Sequence, residues 1–219
     1  MVRRWRSTLV CAVLTISDSE REDFADHVTR VTDNRIIRTC RGQLPFRARD
    51  CFQHRRLLFD LLPPTGSGIR TRFVGHNDLA AQNILVDDEY NLTGIIDWTF
   101  AAEEPWQLAA GLPAFLRPSG SDASLLAAQD RAYVVEILRE KMPVNCHELV
   151  SAIADMWSRP DFEYLQQMLE GVARRDCFEQ LLKDFSDLKF ADAEDDIDAF
   201  LDRRGSKANL RKEDVLAKW

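Results

Sequence analysis

The segment His76-Asn77-Asp78-Leu79-Ala80-Ala81-Gln82-Asn83, with Asp97 closing the run Gly94-Ile95-Ile96, constrains this chain more than any other feature. It sets a His-x-Asp, an Asn five residues beyond Asp78, and a second Asp at the end of an apolar stretch. Phosphoryl transfer needs those groups. One carboxylate orients and deprotonates an attacking hydroxyl, while an amide oxygen and a second carboxylate hold Mg²⁺ on the phosphates. Taken singly, an Asp or Asn beside a strand is a turn or cap residue, and a single His is a structural one. Four such groups at these spacings, bordering one supersecondary unit, are not explained that way.

The residues between them predict that unit. Phe73 and Val74 form a short apolar run into Gly75, and the polar loop follows. Ile84-Leu85-Val86 reads as a strand, Asp87 to Asn91 as a polar turn, and Leu92 to Ile96 as the second strand of a hairpin. This brings Asn83, at the start of one strand, near Asp97, at the end of the other, with Asp78 on the loop feeding the first. An EF-hand calcium loop is a poor alternative, because Asp87, Glu89, Asn91 and Gly94 do not meet its glycine and terminal glutamate positions.

On these residues, the segment Phe73 to Pro113 resembles the catalytic and metal-binding loops of the aminoglycoside phosphotransferase family, in the form common in fungi. That family is similar to the protein kinases in fold. Protein kinases place Phe-Gly after the metal-binding Asp, whereas this chain has Trp98-Thr99, as the small-molecule kinases do. The run from Glu104 through Pro105-Trp106 to Pro113 also resembles the segment that follows in fungal members. The resemblance implies that Asp78 is the catalytic base, with His76 a support of its loop. It makes Asn83 and Asp97 the Mg²⁺ ligands, and puts Trp98, Glu103 and Glu104 near the substrate. Mg²⁺ and ATP are the implied cofactors, and a small hydroxylated molecule the implied acceptor.

The implied fold is α+β and mainly helical: a protein-kinase-like C-terminal lobe with a small catalytic β-hairpin. Members of the family also carry a small N-terminal lobe with a glycine-rich turn, a strand lysine and its glutamate partner. Here 75 residues precede His76, and they hold no lysine and only Gly42, Gly66 and Gly68 before Gly75. Gly66-Ser67-Gly68 follows Pro63-Pro64 and reads as a loop. An arginine does not replace a lysine point charge on phosphates. The ATP-binding lobe is therefore expected to be missing, and turnover by the chain alone to be impaired. Two alternatives follow: an inactive lobe that binds a small molecule or a protein, or a lobe completed by a partner chain.

The reading treats 1–219 as one such lobe, with N-terminal helices in 1–72, the two functional loops in 73–118 and a helical part in 119–219. Arg49 to Leu62 has Phe52, Leu58, Phe59 and Leu62 at helical spacing, stopped by Pro63-Pro64. The apolar stretch Trp5 to Ile16 follows Arg3, Arg4 and Arg6 but lacks a cleavage site, and reads as a first helix. It is too short to span a membrane. Further helices are predicted at Ser124–Lys141, His147–Trp157, Phe162–Phe185 with a break near Gly171, Ile197–Leu201 and Leu210–Trp219. Ser119-Gly120-Ser121 reads as a hinge.

Charge is uneven. Residues 1–75 carry 14 arginines against 8 acidic residues, net +6, which leaves −13 for the rest of a chain of formal charge −7. The arginines alternate with acids and apolar positions, as on helix faces, so no nucleic-acid partner is implied. Glu103, Glu104 and the run Asp192, Glu194, Asp195, Asp196, Asp198 could draw a polycationic amino-sugar; the plainer reading is a solvated helix face. Five cysteines (Cys11, Cys40, Cys51, Cys146, Cys177) without Cys-x-x-Cys spacing indicate neither a disulfide framework nor zinc, and a reducing, cytoplasmic setting. Cys51 and His54 read as core or surface residues.

Overall fold

The computed structural model describes residues 15–16, 24–62, 72–111, 123–142, 144–184 and 194–219. In chain order these form β1 (Thr15–Ile16), α1 (Phe24–Cys40), α2 (Ala48–Leu61), β2 (Arg72–Gly75), β3 (Ile84–Val86), β4 (Leu92–Ile95) and β5 (Ala102–Pro105). Helices follow: α3 (Trp106–Ala109), α4 (Ala123–Lys141), α5 (His147–Trp157), α6 (Phe162–Ala173) and α7 (Arg175–Asp184). The chain closes with α8 (Glu194–Phe200), a π turn at Leu201–Gly205, α9 (Ser206–Ala208) and α10 (Lys212–Leu216). The described protein is thus mainly helical with small antiparallel sheets. None of its helices is long and apolar enough to cross a membrane.

Two compact units are built from these elements, one from residues 1–21 and 69–166, the other from 22–68 and 167–219. The first holds both sheets. Strands β1, β2 and β5 form a three-stranded antiparallel sheet with β2 in the middle, and β3 pairs with β4 as a hairpin. Its helical core is made by Val134, Ile137 and Leu138 of α4 with Leu149, Val150 and Ile153 of α5, all buried. Trp157 closes α5 onto the end of α3, its indole N–H donating to the Ala110 carbonyl at 2.9 Å.

The second unit packs α1 on α2. Phe52 meets Phe200 and Trp219, each at 5.7 Å between ring centres, and Phe46 meets Phe178 edge-on at 4.8 Å. Buried polar groups tie its helices together. Asp33 of α1 accepts from Arg55 of α2 at 2.8 Å and from Arg203 of the π turn at 3.3 Å. Arg35 donates to the carbonyls of Gly171 and Val172, in the last turn of α6, and lies 4.0 Å over the Phe178 ring. A cation at a helix C-terminus and over an aromatic face is stabilised by both. His54 donates through Nε2 to the Met168 carbonyl at 2.7 Å and accepts at Nδ1 from Arg35 at 3.4 Å.

Several expectations change here. The stretch predicted as a helix to Ile16 ends in strand at Thr15–Ile16, where branched residues pair with Arg72 and Phe73; residues 5–14 lie outside those described. Helix α1 went unmarked in the sequence, because its buried face includes His27, Thr32, Asp33, Arg35 and Thr39. Phe162–Phe185 is two helices with the expected break near Gly171, at Arg174; Phe185 lies outside the described residues. Gly171 serves packing, since a Cβ there would lie 3.2 Å from the His54 ring and from Leu181. The terminal helix is confined to Lys212–Leu216. Helices α2, α4 and α5 fall where predicted within a residue. Cys51 and His54 are core residues. The Gly66-Ser67-Gly68 and Ser119-Gly120-Ser121 loops lie outside the described residues.

Asp33→Ala leaves the Arg55 charge buried without its carboxylate and is expected to cost about 3–5 kcal/mol. Arg203, 41% exposed, is expected to cost under about 1 kcal/mol as Arg203→Ala. Urea unfolding midpoints of the two variants check this; equal losses would contradict it. Burial, reinforced by Arg35, pushes the His54 imidazole down from 6.5 to about 3. The unfolded chain therefore binds a proton below pH 6.5 that the folded chain refuses. Stability from this group is full above that pH and falls by about 1.4 kcal/mol per unit as pH drops below it. Over pH 6.5 to 5, where carboxylates titrate little, His54→Gln is expected to flatten this slope in denaturation curves measured beside the parent. Parallel curves would contradict the assignment.

Candidate active site

The candidate site is made by two connections of the first unit: residues 76–83 between β2 and β3, and residues 96–101 between β4 and β5. Antiparallel pairing fastens both ends of each. Gly75, before the first connection, pairs with Ala102, after the second. Ile84, after the first, pairs with Ile95, before the second. The hairpin tip is closed by Asp87, whose carboxylate accepts from the backbone N–H groups of Glu89 and Asn91 and from the Asn91 side chain. The Asn91 bonds hold that carboxyl below the usual carboxylate range.

Direct hydrogen bonds join the two connections. His76, buried, donates through Nε2 to the carbonyl of Ile96 at 2.8 Å. This bond needs a proton on Nε2, and Nδ1 is buried without a hydrogen-bond partner among the described residues. The His76 ring packs on Trp98 at 4.7 Å, and the Trp98 indole N–H donates to the Ile95 carbonyl at 2.9 Å. The strand predicted to reach Ile96 stops at Ile95, because the Ile96 N–H donates to the Asn83 carbonyl, at 3.0 Å, and its carbonyl serves His76. The metal-binding candidates Asn83 and Asp97 are thereby held at the same end of the hairpin.

Asn83 is buried at the end of the short helical turn Ala81–Asn83. Its side-chain N–H donates to the Asp78 carbonyl at 2.8 Å, which ties down the backbone of the base candidate without using the amide oxygen. Asp78 is half-buried. Asp97 is exposed and left-handed, at φ +61°, a conformation Asp tolerates better than most residues. One of its oxygens accepts from the Thr99 hydroxyl at 2.7 Å. The donor set fits Mg²⁺, which takes hard oxygen ligands, usually one or two carboxylates, and completes its shell with water and phosphate. Among the described residues no group of three or more His, Cys, Asp and Glu could hold a metal.

The three substrate-side candidates separate. Trp98 is 41% exposed beside His76, and Glu103 is exposed on β5. Glu104 is buried at 6% exposure, and its Oε1 accepts from the Asn77 side chain at 2.9 Å. Asn77, Thr99 and Gly75 were not singled out in the sequence. The available signal was Asn77 itself, since Asn is among the few residues at home in the left-handed region, and Asn77 lies there at φ +60°. Of the acidic run, Asp198 is exposed and paired with Lys212 at 2.9 Å.

No solved structure matches the chain. Among curated proteins it is similar to "Clavilactone A biosynthesis cluster protein Y" of Ampulloclitocybe clavipes, 30% identical over 123 residues. The aligned part covers 56% of this chain but spans only 29% of that protein. Residues 19–143, more than half of the chain and including both connections of the site, match the family described as the phosphotransferase enzyme family. The chain belongs to that phosphotransferase family.

Proposed function

We propose that this chain carries the base and metal-binding corner of a Mg²⁺-ATP-dependent phosphotransferase acting on a hydroxyl of a small molecule, of the aminoglycoside phosphotransferase type. The observation that carries the reading is the bond set linking the two connections: His76 to Ile96, Ile96 to Asn83, and Asn83 to Asp78. It joins Asp78, Asn83 and Ile96, the residue before Asp97, in one small unit, which supports a shared role for them in transfer.

In this reading Asp78 takes the proton of the acceptor hydroxyl as that oxygen bonds to the γ-phosphorus and the bond to the departing ADP breaks. Asn83, through its amide oxygen, and Asp97, through its carboxylate, hold Mg²⁺. When bound, the ion neutralises charge on the phosphates. His76 keeps the two connections in register, and Trp98 and Glu103 border the acceptor. The cytoplasm is the setting we assign to the reaction.

The lysine that the family places on the nucleotide phosphates has no counterpart before Lys141. We assign that charge to a further segment or partner chain covering the hairpin. What supports a cover is the apolar surface around the site: Leu85, Val86, Ile96, Trp98 and Phe100 are all more than a third exposed. An inactive binding lobe is the competing reading, and the absence of any transfer would favour it.

The test is release of ADP from Mg²⁺-ATP in the presence of a panel of aminoglycosides and other polyhydroxylated amines. Asp78→Asn is expected to lower kcat by about 10²–10⁴-fold while its melting temperature stays that of the parent. Equal turnover by parent and variant would overturn the role of Asp78.

A further inference from the structure

Asn77 stands between the loop-support candidate His76 and the base candidate Asp78, and its side chain bonds to β5 and to the second connection. Its Nδ2 donates to Glu104 Oε1 at 2.9 Å and to the Phe100 carbonyl at 3.3 Å. Glu104 lies on a strand fixed by its pairing with β2, where Phe73 is its register partner. Gly75 completes the arrangement. A Cβ at that position would lie 3.0 Å from Asn77 Oδ1 and 3.2 Å from Glu104 Oε2. The smallest residue is thus used where the two side chains meet.

We propose that Asn77 and Glu104 form a positioning pair that sets the backbone in front of Asp78, and through it the aim of the base. The proposal rests on the reading of Asp78 given above. Closing the sheet needs no carboxylate at position 104, and an apolar side chain would bury there at lower cost. The charge-assisted bond that its Oε1 accepts from Asn77 goes to the loop rather than along the strand. The left-handed turn at Asn77 is held by the same bond. With His76 anchored to Ile96 and the Asp78 carbonyl anchored by Asn83, the pair fixes the middle residue of the His-x-Asp. Both residues are positioning residues, since neither faces the reacting atoms.

Three variants separate positioning from mere support of the fold. Asn77→Gly keeps the left-handed backbone and deletes the amide. Asn77→Asp places a second carboxylate against Glu104. The double variant N77D/E104Q restores one hydrogen bond with donor and acceptor exchanged. ADP-release kinetics, melting temperature and hydrogen exchange of peptides spanning 75–83 are read on the whole chain.

If the pair positions the base, Asn77→Gly lowers kcat by about tenfold or more with KM for ATP unchanged, read at a temperature where the variant, whose melting temperature falls with the lost bond, is still folded. Asn77→Asp lowers it further, the double variant recovers much of the loss, and exchange in 75–83 speeds up in both single variants. Unchanged kcat in Asn77→Gly, or no recovery in the double variant, overturns the proposal. A parent without turnover counts against the proposed function alone. The pair is then judged on exchange, where faster exchange in the single variants with recovery in the double supports it and unchanged protection overturns it.

Discussion

Two short connections fastened at both ends are the constraint on which the rest of the site depends. Pairing of Gly75 with Ala102 and of Ile84 with Ile95 turns residues 76–83 and 96–101 into bridges between the same two strand pairs. A loop free at one end loses positional definition to chain entropy. A loop pinned at both ends by ladders needs only a few cross-bonds to become one conformation. His76 to Ile96 and Ile96 to Asn83 supply them. The left-handed residues Asn77 and Asp97 follow from this geometry, since each turns the chain sharply within a span too short for a wider bend. Both are residue types that accept the conformation at modest cost.

The second unit solves a different problem. Its helices bury charge as well as apolar surface, and each buried cation has its compensation within the unit. Arg55 has Asp33; Arg35 has the carbonyl end of α6 and the Phe178 ring. His54 stays neutral between a donor and an acceptor. Groups of this kind specify one register between helices, because any other arrangement would strand a charge in the interior. The glycine in α6 belongs to the same arrangement, giving His54 room to reach Met168.

What the sequence revealed follows from this division. The spacing of His76, Asp78, Asn83 and Asp97 and the apolar runs between them act over a few residues, so the hairpin and its loops were legible, and β3 and β4 lie where the pattern put them. Helices α2 and α5 were legible from apolar periodicity. Helix α1 was not, because Asp33 and Arg35 on its buried face find partners in distant segments. For the same reason Glu104 looked like an acidic residue available to substrate. Its partner Asn77 lies 27 positions away and is found only once β2 and β5 are paired. The stretch ending at Thr15–Ile16 had helix-like apolarity, and only its pairing with β2 shows those two residues as strand.

The central claim is that Asn83 and Asp97 are brought together to hold one divalent ion. Electron paramagnetic resonance titration of the chain with Mn²⁺ and ATP tests it most directly. The account predicts saturable binding of the ion in the parent, lost in Asn83→Ala and in Asp97→Ala taken separately while both variants remain folded. Mn²⁺ binding that persists unchanged in either folded variant would contradict it.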